Sequence, residues 1–206
     1  MHNFLNPEFL ISTFGYVGIF SIIFMESGFF FAFFLPGDTL IFTVGFLASA
    51  GILNIWISWI GLVVATFLGG LVGYLFGKKV GPAIFFKEGS FLFDPSNLER
   101  TKKFYEKYGS WAVAMGRFVP VIRTFVPILA GVGRMKWNTF LRFNTLGAIL
   151  WPSVVMFVGY FFGSQFPAIH QYVMPVIGFL FLITLIPIFW AMFKKRKESK
   201  KDNSII

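Results

Sequence analysis

The chain has 206 residues, of which 56% are apolar, 21% aromatic and only 13% charged, with a mean hydropathy of +0.74 and a net charge of +9. Soluble domains carry about 25% charged residues, so the composition excludes an ordinary soluble enzyme or binding module and points to an integral membrane protein. The length suits one domain of five or six membrane segments at ~20 residues per crossing, and the absence of cysteine excludes disulfides and thiol chemistry.

Residues 9–25 form a first hydrophobic helix that ends at Glu26. This run lacks a basic leader and a small-residue cleavage site, so it reads as a retained helix and not as a signal peptide. The apolar run 28–50 is broken in its middle by Pro36-Gly37-Asp38. Each arm is then too short to cross, which predicts a re-entrant helical hairpin; bare backbone at membrane depth is tolerated only where protein or water covers it. Residues 54–77 make an uninterrupted crossing, with Gly69, Gly73 and Gly77 on one face for close helix contact. Residues 78–94 read as a loop.

Asp94-Pro95 starts a polar helix that Gly109 stops; its basic face places it on the membrane surface. Residues 110–133 form a second broken run, interrupted at Pro120 and Pro127. Residues 138–163 and 171–193 cross again, and a basic tail follows from Lys194.

The chain repeats itself. Val72-Gly73-Tyr74-Leu75-Phe76-Gly77 closes one half and Val158-Gly159-Tyr160-Phe161-Phe162-Gly163 the other. Each follows its Pro-broken run at a similar interval, 37 residues from Pro36 to Gly73 and 39 from Pro120 to Gly159. Residues 1–77 contain no Lys or Arg; the basic residues cluster at 78–107, at Arg134, Lys136 and Arg142, and in the tail. That bias reads as the cytoplasmic excess of positive charge that orients membrane proteins, not as a nucleic-acid surface. With the tail in the cytoplasm, every basic cluster falls inside, and the two broken runs enter from opposite faces. The predicted fold is all-α: a polytopic membrane protein built as an inverted repeat of a re-entrant helical hairpin plus a transmembrane helix, with extra N- and C-terminal helices. It makes one domain over residues 1–193, with repeats at about 26–77 and 110–163, and a basic cytoplasmic tail over 194–206.

Four charges lie within or beside the broken runs: Glu26, Asp38, Arg117 and Arg123. A charge at bilayer depth costs roughly 2.5 to 17 kcal/mol. Two arginines six residues apart in an apolar segment therefore suggest an anion or a wet cavity. Arg grips phosphate or carboxylate through its planar fork of donors, and a carboxylate at low dielectric favours its protonated form. Blander roles stay open: Arg123 pairing with Asp38 to hold the hairpins together, Arg117 snorkelling to the surface, Glu26 sitting among headgroups, Asp38 serving only the turn. His2 and His170 are far apart and suggest no metal site. Trp56, Trp59, Trp111, Trp137 and Tyr108 read as belt aromatics, and Trp151, beside Pro152, as packing.

Glu26-Ser27-Gly28, Pro36-Gly37-Asp38-Thr39-Leu40, Gly45-Phe46-Leu47-Ala48 and Arg117-Phe118-Val119-Pro120-Val121-Ile122-Arg123-Thr124, followed by Ala130-Gly131, resemble the DedA family, also called SNARE-associated or VTT-domain proteins. The resemblance covers roughly residues 10–165. It implies a bacterial inner-membrane protein with two opposed re-entrant hairpins, in a family implicated in returning undecaprenyl phosphate across the membrane, in phospholipid movement and in stress linked to the proton-motive force. The family's functional acids and arginines carry over onto Glu26, Asp38, Arg117 and Arg123. One departure is visible: the family often has Gly-Asp where this chain has Gly69-Gly70.

The expected function is a lipid translocase that carries a phosphate-bearing lipid, foremost undecaprenyl phosphate, from the outer to the inner leaflet. Arg117 and Arg123 would bind the phosphate, and Glu26 and Asp38 would couple to protons. The alternatives are a proton-coupled exporter of small cations or drugs and a general phospholipid scramblase. No catalytic residue, cofactor or metal is expected, and an enzyme acting on lipid phosphates is disfavoured because no His or Ser nucleophile accompanies the arginines. The expected partners are a membrane lipid (polyprenyl phosphate or phospholipid) and protons, not nucleic acid, with homo-oligomerisation left open.

Overall fold

The computed structural model describes residues 7–29, 37–84, 106–119 and 122–165, with side chains from residue 15 onward and, in the third helix, as far as residue 79. All regular structure among them is helical. The predicted first arm before Pro36, the surface helix from Asp94, the crossing 171–193 and the basic tail fall largely or wholly outside the described residues.

Helix α1 spans Pro7–Gly28 and opens on a proline, whose fixed φ suits a first turn. It runs two residues past Glu26, so that carboxylate lies in the last turn of the helix. Helix α2, Gly37–Ser49, carries Asp38 in its first turn. Its end is a glycine cap: Gly51 takes φ +75, Gly51 N–H donates to Ala48 O at 3.2 Å and Ile52 N–H to Leu47 O at 3.1 Å. Asn54 caps the next helix, α3 (Ile55–Ile84), its Oδ1 accepting from Trp56 and Ile57 N–H at 3.0 and 3.1 Å. Asn54 N–H in turn donates to Tyr16 Oη at 2.7 Å, which ties this corner to α1. Helix α3 runs through 78–84, part of the predicted loop, because the edge of an apolar run need not end a helix whose backbone bonds continue.

Residues 106–108 are helical, and the chain turns at Gly109, φ +56. A short arm follows: a 3-10 turn over Gly109–Trp111, one α-turn α4 (Ala112–Met115) and a second 3-10 turn, Gly116–Phe118. Val119 is extended at φ −108, ψ 112, as the residue before a proline prefers. Helix α5 then covers Ile122–Val132 with Pro127 inside it. The expected break at Pro127 is therefore corrected: the lost N–H is one bond, and α5 is held by packing against α3, where the Pro127 ring meets Gly73. The last described helix, α6, spans Trp137–Gln165.

Helices α3 and α6 are each long and apolar enough to cross a membrane, whereas α2 and α5 are too short. Their outward faces are apolar. Trp56, Ile60, Val64 and Leu68 form an exposed stripe on α3, and Leu150, Val154, Phe157 and Phe161 one on α6. Such stripes would be a liability in water and are the normal surface toward lipid.

The inward faces pack through glycines. A Cβ at Gly45 of α2 would run into the Met156 carbonyl of α6, and one at Gly159 into Phe42 of α2. On the other side, a Cβ at Gly77 of α3 would strike the Ile128 carbonyl of α5, and one at Gly131 the Tyr74 carbonyl of α3. The two similar hexapeptides thus do parallel jobs: each lets the short helix of the other half lie against a long one.

Candidate functional site

Three of the four sequence-predicted charges come together. Glu26, 1% exposed, hangs from the last turns of α1. Its Oε1 accepts from Nη2 of Arg123, which stands at the start of α5. Arg123 Nη1 lies 2.6 Å from Asp38 Oδ1, in the first turn of α2. One guanidinium therefore holds carboxylates from two other helices. Gly37 makes this possible, because a Cβ there would overlap the Glu26 carboxyl group. The carboxylate so sits against the N-terminus of α2, where helix N–H groups favour negative charge. Its second oxygen, Oε2, is buried without a hydrogen-bond partner.

Trp151 of α6 closes the cluster. Its Nε1–H donates to Asp38 Oδ1 at 3.0 Å, and its ring lies 5.0 Å from the Arg123 guanidinium carbon. Trp151 is 3% exposed. The sequence reading assigned it to packing; the structure makes it the donor and the aromatic face that position Asp38 and Arg123. The blander sequence readings of Glu26 among headgroups and Asp38 as a turn residue alone do not describe these contacts.

Arg117 occupies a second polar node without contact to these acids. It sits on the 3-10 turn after α4 and is 3% exposed, so it does not reach a surface by snorkelling. Its Nη2 donates to Asn144 Oδ1 at 2.7 Å and, at a long 3.4 Å, to the Thr66 carbonyl. Asn144 is fully buried on α6 and donates through Nδ2 to the Phe67 carbonyl at 3.1 Å. Two glycines make the cradle. A Cβ at Gly70 would lie 2.6 Å from Arg117 Nη2 and overlap Asn144 Oδ1; one at Gly147 would lie 2.8 Å from Arg117 Cδ. Arg117 Nε and Thr66 Oγ1 are buried without partners.

Among the described residues no carboxylate pairs with Arg117. A buried ion without a counter-charge costs several kcal/mol, so the two nodes differ in kind. With both acids ionised the Arg123 cluster would carry net charge −1, whereas the Arg117 node carries +1. An acid at position 70 would meet Arg117 directly, so glycine there leaves that cation uncompensated. Asn144 was missed in the sequence because a lone amide early in a crossing looks like an interface residue. Its only signal was polarity inside an apolar run. Among the described residues no group of three or more His, Cys, Asp and Glu side chains is arranged to hold a metal.

A family profile described as the VTT domain matches residues 35–161, more than half of the chain and all of the Asp38, Arg117, Arg123, Asn144 and Trp151 positions. The chain belongs to the VTT-domain, or DedA, family. Among its VTT-domain relatives, an uncharacterized membrane protein of Mycobacterium leprae is 36% identical over 184 residues, covering 88% of this chain and 82% of the relative. Protein DedA of Escherichia coli is 35% identical over 183 residues, 86% of this chain and 83% of its own length. The E. coli inner membrane protein YghB is 29% identical over 170 residues, covering 82% and 77%. No solved structure matches the chain. Membership of this family places the VTT-domain chain in a membrane, in agreement with its apolar helix faces.

Proposed function

We propose that this chain moves a phosphate-bearing lipid, foremost undecaprenyl phosphate, from the outer to the inner leaflet of a bacterial cytoplasmic membrane. The observation that carries this reading is the buried Arg117, a cation whose described partners are all neutral. A phosphate headgroup is the counter-ion that such a site lacks, and guanidinium matches its geometry. Arg123 is the second grip. It is already held by Glu26 and Asp38, so an incoming phosphate competes with carboxylates for one fork of donors. Protonation of either acid releases Arg123 toward the lipid, and loss of that proton releases the lipid again. Transport coupled to protons follows from this exchange. The apolar tail stays in lipid throughout.

The architecture that suits this mechanism is the inverted repeat, with α2 and α5 as the inner arms of hairpins that enter from opposite faces, in a single domain over 1–193 with a cytoplasmic tail. The reciprocal packing of α2 on α6 and α5 on α3 supports that arrangement. It brings acids from one side and arginines from the other into the middle of the bundle.

The test is in cells. Removal of the protein should raise undecaprenyl phosphate in the outer leaflet, the wild-type gene should restore it, and an Arg117→Ala gene expressed at the same level should not. Unchanged outer-leaflet lipid on removal, or full rescue by Arg117→Ala, counts against the proposal. A proton-coupled exporter of small cations is the second reading, favoured by the net −1 that the Glu26–Asp38–Arg123 cluster would carry with both acids ionised. In that case Glu26→Gln abolishes flux and Arg117→Ala does not.

A further inference from the structure

A pocket of about 390 Å³ lies between the later turns of α3 and the α5–α6 turn, lined by Tyr74, Lys78, Arg134, Met135, Lys136 and Trp137. We propose that it binds the phosphate headgroup of an anionic membrane lipid. This site is separate from the Arg117 and Arg123 nodes, and the proposal stands whether or not the chain transports lipid.

Its frame is fixed. Tyr74 Oη donates to the Met135 carbonyl at 2.7 Å, and the Tyr74 ring stacks on Phe140 at 4.2 Å and leans on Trp137 at 5.5 Å. The turn is closed by Met135 N–H to Ala130 O at 2.9 Å and Arg134 N–H to Gly131 O at 3.0 Å. Around this frame stand three exposed cations from two segments, Lys78 on α3 and Arg134 and Lys136 on the turn. Among the described residues no acid lines the pocket. Helix α6 begins at Trp137, so its positive end adds to the same field.

Arg134 is the informative residue. It holds φ +49, the only non-glycine among the described residues with positive φ. Its hydrogen-bond pair repeats the one that ends α2, where the same place is taken by Gly51 at φ +75. Glycine adopts this conformation freely, and an L side chain there is disfavoured. The fold thus accommodates a guanidinium in a cap position where glycine would fit more easily.

The occupant is a lipid and not a soluble anion because of the floor. Trp137 opens α6 and Tyr74 lies shortly before Lys79, where the apolar span of α3 ends, so the two rings give an aromatic wall near the level at which headgroups lie. Converging basic residues at that level attract anionic headgroups, and three cations match a phosphate with more than one charge better than a zwitterion.

The test uses the full chain in phosphatidylcholine nanodiscs containing a few per cent of phosphatidate, with bound phosphatidate counted per chain. Lys78, Arg134 and Lys136 are changed together to Gln; a charge-matched control changes Lys79, Lys107 and Arg142, all exposed and outside the pocket. The pocket variant should lose affinity by about tenfold or more, and the control by less than about threefold. Arg134→Gly alone, which relaxes the backbone, should weaken binding at least about threefold without lowering thermal stability. Equal losses in pocket and control variants, or no loss in either, overturn the proposal. Displacement of phosphatidate by millimolar inorganic phosphate overturns the lipid assignment.

Discussion

Asn144→Asp tests whether the Arg117 charge is kept free for an anion. Asp has the shape of Asn, so an oxygen stays 2.7 Å from Arg117 Nη2. The neutral acceptor becomes a counter-ion, so a bond already assisted by the guanidinium's charge becomes an ion pair and strengthens. The second oxygen then faces the Phe67 carbonyl where Nδ2 had donated at 3.1 Å, at a cost of about 1–3 kcal/mol. The two oppose one another, so the fold should persist with a melting temperature within a few degrees of wild type. The effect on a phosphate ligand does not cancel. Unit charges 4 Å apart at an effective dielectric of ~20 interact by about 4 kcal/mol, and even half of that weakens anion binding about 30-fold. The assay is reconstitution into vesicles carrying a fluorescent lipid phosphate, with the outer leaflet bleached by an impermeant reductant. Asn144→Asp should slow transbilayer movement at least tenfold. Movement at the wild-type rate by a folded Asn144→Asp protein would show that no anion uses Arg117.

Further perturbations probe other contacts. Arg123→Lys keeps the charge but loses the fork that reaches Glu26 and Asp38 together; lipid movement should fall about tenfold, and an unchanged rate in the same vesicle assay would remove Arg123 from the phosphate path. Trp151→Phe keeps an aromatic face near Arg123 and loses the 3.0 Å donor to Asp38, which should cost ~1 kcal/mol in stability and slow transport severalfold. Thermal unfolding in detergent and the same vesicle assay check both effects. Gly45→Ala places a Cβ onto the Met156 carbonyl and should destabilise by about 1–3 kcal/mol, whereas Gly18→Ala, with nothing within 4 Å of the new Cβ, should be neutral or mildly stabilising. Equal melting temperatures for those two variants would contradict the close α2–α6 packing.

The charged residues were legible in the sequence because ions inside apolar runs are too costly to be incidental. Their partners were less so. Arg123 pairing with Asp38 was one reading left open, and the structure has that contact; the bond to Glu26 needed Gly37 to let a carboxylate lie on the start of α2, which no local pattern encodes. Arg117 and Asn144 are 27 residues apart and belong to different elements, so nothing in periodicity links them. Helix type and order were readable from apolar length, and helix ends only in part. Glu26 looked like a terminus because it is charged, and it does stand in the last turn of α1, where Arg123 pairs with it. Pro127 looked like a break, yet α3 holds α5 together around it. Gly73 and Gly77 of the first hexapeptide were read as contact residues, but which short helix they receive, and that Gly159 and Gly163 do the same on α6, depends on tertiary packing.

Phosphate handling by Arg117 and Arg123, with proton exchange by Glu26 and Asp38, is the proposed mechanism. It is tested most directly by recording lipid-phosphate movement and proton flux together in vesicles holding the full chain. Wild type should move lipid with accompanying protons, Arg117→Ala should move neither, and Glu26→Gln should uncouple or stop both. Proton-driven efflux of a small cation that survives Arg117→Ala and vanishes in Glu26→Gln, with no lipid movement in wild type, would contradict it.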